Sequence, residues 1–175
     1  MKERQKIFEA TQIAIKERLE KTEDQLQGNT FNMRNLDMDG DMMDDPLLHR
    51  LMAERIRLED EISELKGYLG NETEVLRHPE QNGSISLGHL VHVKIRYPNG
   101  EMEETRVSLG SALDKRYLWQ DEENNNPKHI LISQDSPLAQ ALIGRKIGDT
   151  VLYQAPEGQG EIIILEVEDS PFLKK

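Results

Sequence analysis

The sequence predicts an α+β protein in two parts: an antiparallel coiled-coil hairpin of helices over residues 1–74 and a small antiparallel-sheet domain with a short helix over residues 75–175. Three observations predict it. Apolar side chains recur at alternating four- and three-residue spacing along both arms of the first part, which aligns them as one stripe on a helix. Those arms are separated by Asp37–Asp45 (DMDGDMMDD), where five aspartates crowd nine residues with no Lys, Arg or His among them. Beyond residue 70 the period changes to the two-residue alternation of half-buried strands.

In the first arm Phe8, Ile15 and Thr22 recur every seven residues, interleaved with Leu19, Leu26 and Met33. The second arm continues as Leu48, Leu51, Arg55, Leu58, Ile62, Leu65 and Leu69, broken only by Arg55. Pro46 suits a first helical turn, with Asp45 or Asp44 as the N-cap before it. Gly28-Asn29 is expected to loosen the first arm, and Gly70-Asn71 to end the second. Each stripe needs an apolar partner. Folding one arm back on the other supplies it, and arms of about 30 residues would run roughly 45 Å. Pairing between chains would satisfy the same stripes, but the acidic segment supplies a turn where a hairpin needs one, so a monomer is expected.

In the second part Leu90–Tyr97 alternates as a strand, Pro98-Asn99-Gly100 is a turn, and Glu101–Leu109 is its hairpin partner. Lys128–Ser133, Asp149–Gln154 and Glu161–Val167 read as further strands, the last preceded by a turn at Gly158 and Gly160. Ser136-Pro137 opens a short helix carrying Leu138, Leu142 and Ile143, and Gly144 ends it. Asp121–Lys128 (DEENNNPK) reads as a polar loop.

A net charge of −11 argues against a protein that wraps nucleic acid by itself, since such proteins present a basic face to the phosphates. The absence of cysteine excludes disulfides and thiolate metal sites. No apolar run approaches membrane-spanning length and the first ten residues lack a secretory core, so a cytoplasmic protein without membrane contact is expected. Five carboxylates in one turn repel each other, which destabilises the tip unless a cation or basic partner meets it. Function is therefore sought first at the tip.

The run Ile130-Leu-Ile-Ser-Gln-Asp-Ser-Pro-Leu-Ala-Gln-Ala-Leu-Ile-Gly144 closely resembles the signature of the C-terminal domain of bacterial Gre transcript-cleavage factors. Gly148-Asp149-Thr150-Val151, Ala155-Pro156-Glu157-Gly158 and the strand ending Ile164-Leu-Glu-Val167 follow in the family's order. The resemblance implies an FKBP-like second domain behind the hairpin, and it covers essentially the whole chain. It also implies an accessory role and no enzymatic activity of the chain's own. Gre factors dock this domain on the rim of the RNA polymerase secondary channel and thread the hairpin down to the active site. There the tip carboxylates help to hold a catalytic Mg²⁺ shared with the polymerase, and the backtracked RNA 3′ end is reached only through that enzyme. Two-metal phosphodiester hydrolysis needs hard oxygen ligands and an activated water, which carboxylates supply.

The family's tip pattern falls on Gly40–Leu48. Asp41 matches its metal-positioning aspartate, and Asp44 stands where the family has glutamate, one methylene shorter. Asp45 replaces an asparagine, Leu47 and Leu48 replace a glutamate and an aromatic, and Asp37 and Asp39 add further possible metal ligands. Such overloading resembles Gre-like inhibitors, which occupy the same channel without promoting cleavage. Asp135, Ser136, Pro137 and Leu138 match the docking segment, although Ser-Pro also starts helices in any protein. Arg50, Arg55 and Arg57 read as a solvated helix face that could meet RNA or acidic groups.

Other classes fit less well. Asp37–Asp41 copies the start of an EF-hand loop, but Met42 stands where glycine belongs and Leu48 where a bidentate glutamate belongs. A prolyl isomerase would need an aromatic-lined cleft, for which Tyr97, Tyr117, Trp119, Tyr153 and Phe172 are too few. A coiled-coil adaptor with a solubilising loop leaves the Ile130–Gly144 match unexplained. The five histidines have no zinc-site spacing.

Overall fold

The computed structural model describes residues 4–36, 45–79, 83–118, 129–155 and 158–173. They form two compact units, one built on Ile13–Thr73 and the other on Arg4–Gln12 with Glu74–Lys175. The chain is α+β: long N-terminal helices precede a sheet domain.

The helical unit pairs α1 (Glu9–Leu36) with α2 (Pro46–Gly67). The second arm buries Leu51, Leu58, Ile62 and Leu65, as its spacing predicts, and turns Arg55 outward to Glu59 at 2.8 Å. In α1, Ile15 and Thr22 are buried, while Leu19, Leu26 and Met33 are half-buried. Asn29 extends the seven-residue series and is only 5% exposed. Its Nδ2 donates to the Leu51 carbonyl at 3.1 Å and to Glu54 at 3.3 Å, while its Oδ1 has no partner among the described residues. A buried amide in an apolar seam fixes the register of two helices at some loss of stability. The expected loosening at Gly28-Asn29 is absent, and α1 runs through both residues unbroken. Arg18, earlier in α1 than Asn29, meets Glu61, later in α2 than Leu51, at 2.7 Å, so the helices run antiparallel, and Glu23 meets Lys66 at 2.8 Å. After Gly67 a π-helical turn, Tyr68–Glu72, contains the break at Gly70 (φ −89, ψ −106), and the chain becomes extended at Thr73.

Phe8 departs from the predicted stripe. It ends a strand, β1 (Gln5–Phe8), which pairs with β2 (Thr73–Leu76), so the helix starts at Glu9. The main sheet has the order β5-β4-β3-β7-β6. Its strands are β3 (His89–Arg96), β4 (Met102–Gly110), β5 (His129–Ser133), β6 (Thr150–Ala155) and β7 (Gly158–Asp169). The β3–β4 hairpin turns at Gly100, whose φ of +87 is free of strain only for glycine. The predicted antiparallel sheet holds for the β3–β4, β3–β7 and β6–β7 pairs and needs one correction, because β5 lies parallel to β4. A parallel neighbour requires a crossover, and a helix the sequence reading passed over, α3 (Ala112–Leu118), stands in that connection. One sheet face buries Val91, Val93, Ile95, Val107, Leu109, Ile162 and Ile164. Ile85 and the helix α4 (Pro137–Leu142), through Ala139 and Leu142, cover them.

The N-terminal segment is held by one buried carboxylate. Ser111 and Asp114 form a capping box at the start of α3. The Asp114 amide donates to Ser111 Oγ at 3.1 Å, and Ser111 N and Oγ donate to Asp114 Oδ2 at 2.7 and 2.8 Å. The other oxygen, Oδ1, accepts from Phe8 N at 2.8 Å and Thr11 Oγ1 at 2.5 Å, where α1 begins. Burial pushes the Asp114 carboxyl up from its ordinary range, against hydrogen bonds from Thr11, Ser111 and Phe8 that pull it down. Phe8 stacks on Phe172 with ring centroids 5.9 Å apart, and Phe172 lies 5.6 Å from His129. His129 Nε2 is 2.9 Å from Ser108 Oγ, itself 3.0 Å from Ser170 Oγ.

Three outcomes are expected. Asp114→Ala strands four buried donors and lowers unfolding stability by about 3 kcal/mol. Thr11→Ala removes one of them and lowers it by about 1 kcal/mol, both read from urea midpoints. Burial first, and the Arg106 charge second, hold His129 below its ordinary 6.5. The folded state then binds fewer protons than the unfolded one, so this contribution is present above 6.5 and lost as pH falls from there toward the lowered folded value. In His129→Gln, the fall in urea midpoint between about pH 7.5 and about pH 5.5 becomes shallower.

Candidate functional site

Of the predicted tip residues, Asp37, Asp39, Asp41 and Asp44 lie outside the described residues, and so does the Asp121–Lys128 loop. Asp45 is described, and it is the N-cap of α2. Its backbone is extended (φ −74, ψ 118), Pro46 follows at the first helical turn, and its carboxylate accepts from Leu47 N at 2.7 Å. The first helical hydrogen bond closes from His49 N to the Asp45 carbonyl at 3.2 Å. One Asp45 oxygen is therefore engaged in starting a helix. A negative charge here also favours the partial positive charge of the helix N-terminus. Among the described residues, no group of three or more His, Asp or Glu side chains is arranged to hold a metal ion.

The second predicted site is the approach to α4. Ser136 is extended (φ −73, ψ 147), and its hydroxyl accepts from Ala139 N at 3.2 Å, so it caps the helix that Pro137 begins. Ser133 Oγ ties the turn, donating to Asp135 Oδ2 at 3.2 Å and accepting from Asp135 N at 3.3 Å. Asp135 and Pro137 are exposed, whereas Leu138 packs against the core. The structure thus brings a carboxylate and a proline ring together on a rigid turn, with Ser136 and Leu138 supporting them from beneath. That is a surface suited to contact with another macromolecule, because a fixed backbone loses little entropy on binding.

On the second arm Arg55 is engaged with Glu59, while Arg50 and Arg57 are exposed. The sequence reading missed Asp114 as an organising residue. The signal that could have found it is the Ser111-x-x-Asp114 spacing of a capping box.

Residues 114–169 match the family model described as transcription elongation factor, GreA/GreB, C-terminal. The chain is similar to transcription elongation factor GreA of Halalkalibacterium halodurans, 31% identical over 129 residues that span 73% of each chain. It is likewise 31% identical over 129 residues to GreA of Geobacillus kaustophilus, covering 74% of this chain and 73% of that one. Among solved structures, GreA factor homolog 1 (Gfh1) of Thermus thermophilus is 26% identical, with 95% of this chain and 99% of that one covered at a TM-score of 0.40.

The capping geometry separates structure from charge at Asp45. Asp45→Ser keeps the cap and leaves thermal stability within about 0.5 kcal/mol, whereas Asp45→Ala removes it and lowers stability by about 1 kcal/mol, measured by helical circular dichroism during unfolding.

Proposed function

The chain belongs to the Gre family of transcription elongation factors, and from there we propose that it acts on RNA polymerase as a cleavage-stimulating factor. In this reading the globular unit docks on the polymerase through Asp135, Ser136, Pro137 and Leu138. The hairpin carries Asp37–Asp45 into the secondary channel, where the polymerase holds backtracked RNA. The observation that carries the proposal is the pairing of a GreA/GreB match over residues 114–169 with five carboxylates in the segment between the two helices.

Carboxylate oxygens are hard donors of the kind Mg²⁺ prefers. Asp41 and Asp44 are the residues that would hold the shared ion, with Asp37 and Asp39 adding negative charge around it. Asp45 would contribute the oxygen that does not accept from Leu47 N. When bound, Mg²⁺ supplies charge neutralisation and an activated water at the phosphodiester. The chain's part is to raise the ion's occupancy and to orient that water, while the polymerase provides the reaction centre.

A second reading has an observation of its own. Leu47 and Leu48 replace the glutamate and aromatic of the cleavage-factor pattern, and Asp37 and Asp39 exceed what cleavage requires. Those departures favour a Gre-like inhibitor that fills the channel and slows nucleotide addition.

A defined backtracked elongation complex with the cognate polymerase separates the two. Accelerated RNA cleavage, reduced by about tenfold or more in Asp41→Ala/Asp44→Ala, is the expected result. Slowed nucleotide addition without cleavage, relieved in the same variant, establishes the inhibitor instead. No effect on either reaction overturns both.

A further inference from the structure

The sheet unit carries a cleft that the polymerase reading leaves unused. It has a volume of about 380 Å³ and is lined by Gly83, Ser84, Ile85, His89, Val167 and the turn Arg145–Ile147. Its walls are tied together. Ile85 N donates to the Arg145 carbonyl and Gly144 N to the Ile85 carbonyl, both at 2.8 Å, which clamps one wall to the other. The turn closes on itself through Lys146 N to Asp149 Oδ2 at 2.9 Å and Asp149 N to the Lys146 carbonyl at 3.1 Å. Gly144 and Gly148, with φ of +82 and +86, permit that path. Ser86 N lies 3.0 Å from His89 Nδ1, which leaves Nε2 as the ring's remaining polar atom.

The chemistry of the lining is amphipathic. Ile85, Ile147 and Val167 give it an apolar wall, and Arg145 and Lys146 give it two adjacent cations. Both cations are exposed, and neither forms an ion pair among the described residues. Asp149, the nearest acid along the turn, directs its carboxylate to a backbone amide. In a chain of net charge −11, Arg145 and Lys146 are thus two adjacent exposed cations with no ion-pair partner among the described residues. Ile147 of the lining is 60% exposed, and Ile143, two residues before Arg145, is 39% exposed. Large aliphatic side chains left in water beside unpaired cations mark an interaction surface.

We propose that this cleft binds an acidic peptide segment of a partner protein, with a bulky aliphatic side chain seated against Ile85, Ile147 and Val167 and a neighbouring carboxylate paired with Arg145 and Lys146. An acidic peptide matches it, since Arg145, Lys146 and Ile147 present two cations and an exposed aliphatic side chain in succession, which neighbouring residues of a peptide can meet together. The rigid, hydrogen-bonded walls lower the entropy lost on binding. This inference stands apart from the tip, and its test needs no polymerase.

The test titrates the isotope-labelled full chain with a blocked hexapeptide of alternating leucine and glutamate, followed by amide chemical shifts. Saturable shifts at Gly83, Ile85, His89, Ile147 and Val167 are expected. Affinity should fall about tenfold or more in Arg145→Gln/Lys146→Gln and with a leucine–glutamine peptide, as for loss of a charge-assisted hydrogen bond. Ile147→Ser should weaken binding while leaving the remaining spectrum in place. Absence of saturable shifts at the cleft overturns the proposal, and so does binding that the double variant leaves unchanged. Hexanoate binding as tightly as the peptide overturns the peptide assignment in favour of a small-anion site.

Discussion

Asp114 places a carboxylate, 1% exposed, among four hydrogen-bond donors, and the arrangement of the N-terminal segment follows from satisfying it. A buried charge without partners is strongly unfavourable, whereas one ringed by donors at 2.5–2.8 Å is held in place by them. Two donors come from Ser111, three residues before it at the start of α3, and two from Phe8 and Thr11, more than a hundred residues earlier. The same side chain therefore caps α3 and fixes where α1 begins. Gly110 makes room for this: a Cβ there would sit 3.0 Å from both Asp114 Cβ and Phe8 Cε2. Once Phe8 is held by its amide, its ring is free to stack on Phe172, and the Phe172–His129–Ser108–Ser170 series closes that end of the sheet.

Helix caps recur as the way this chain assigns roles to its polar side chains. Ser111, Ser136 and Asp45 each satisfy an amide that a helix start would leave open. At α4, capping by Ser136 leaves Asp135 and Pro137 as the groups presented outward. At α2, capping by Asp45 sets where the helix begins and so where the acidic segment ends. The chemistry attributed to these segments rests on a scaffold of ordinary helix-start hydrogen bonds, and the residues that make those bonds differ in role from their exposed neighbours.

The helical unit follows a different logic. Its seam combines aliphatic residues from α2 with Thr22 and Asn29 from α1, so it is less apolar than a leucine-rich coiled coil. Thr22 Oγ1 returns its hydrogen bond to the Arg18 carbonyl within its own helix at 2.8 Å, whereas Asn29 reaches across to Leu51. A buried amide paired across the seam discriminates against slipped registers, since a slip would take its Nδ2 away from the Leu51 carbonyl. The partly exposed pairs Arg18–Glu61 and Lys66–Glu23 add little stability but favour the same antiparallel arrangement.

The sequence by itself determined the elements whose causes are local. The heptad-like spacing of Leu51, Leu58, Ile62 and Leu65, the Asp45-Pro46 and Ser136-Pro137 starts, and the alternation in Leu90–Tyr97 each act within a few residues, so all were legible without coordinates. The acidic composition of Asp37–Asp45 and the Ile130–Gly144 signature were legible for the same reason. Tertiary structure alone decided the assignments that rest on contacts between distant segments. Phe8 fits the helical stripe by spacing, but a strand partner at Thr73–Leu76, an amide acceptor in Asp114 and a ring at Phe172 draw it into the sheet unit. The parallel placement of β5 depends on the α3 crossover, and the cleft beside Arg145 exists only because Ile85 is hydrogen-bonded to a turn some sixty residues later. Periodicity records which face of an element is apolar. It does not record which distant donor, ring or backbone will meet that face, and here those long-range partners set the N-terminal segment, the sheet edge and the cleft.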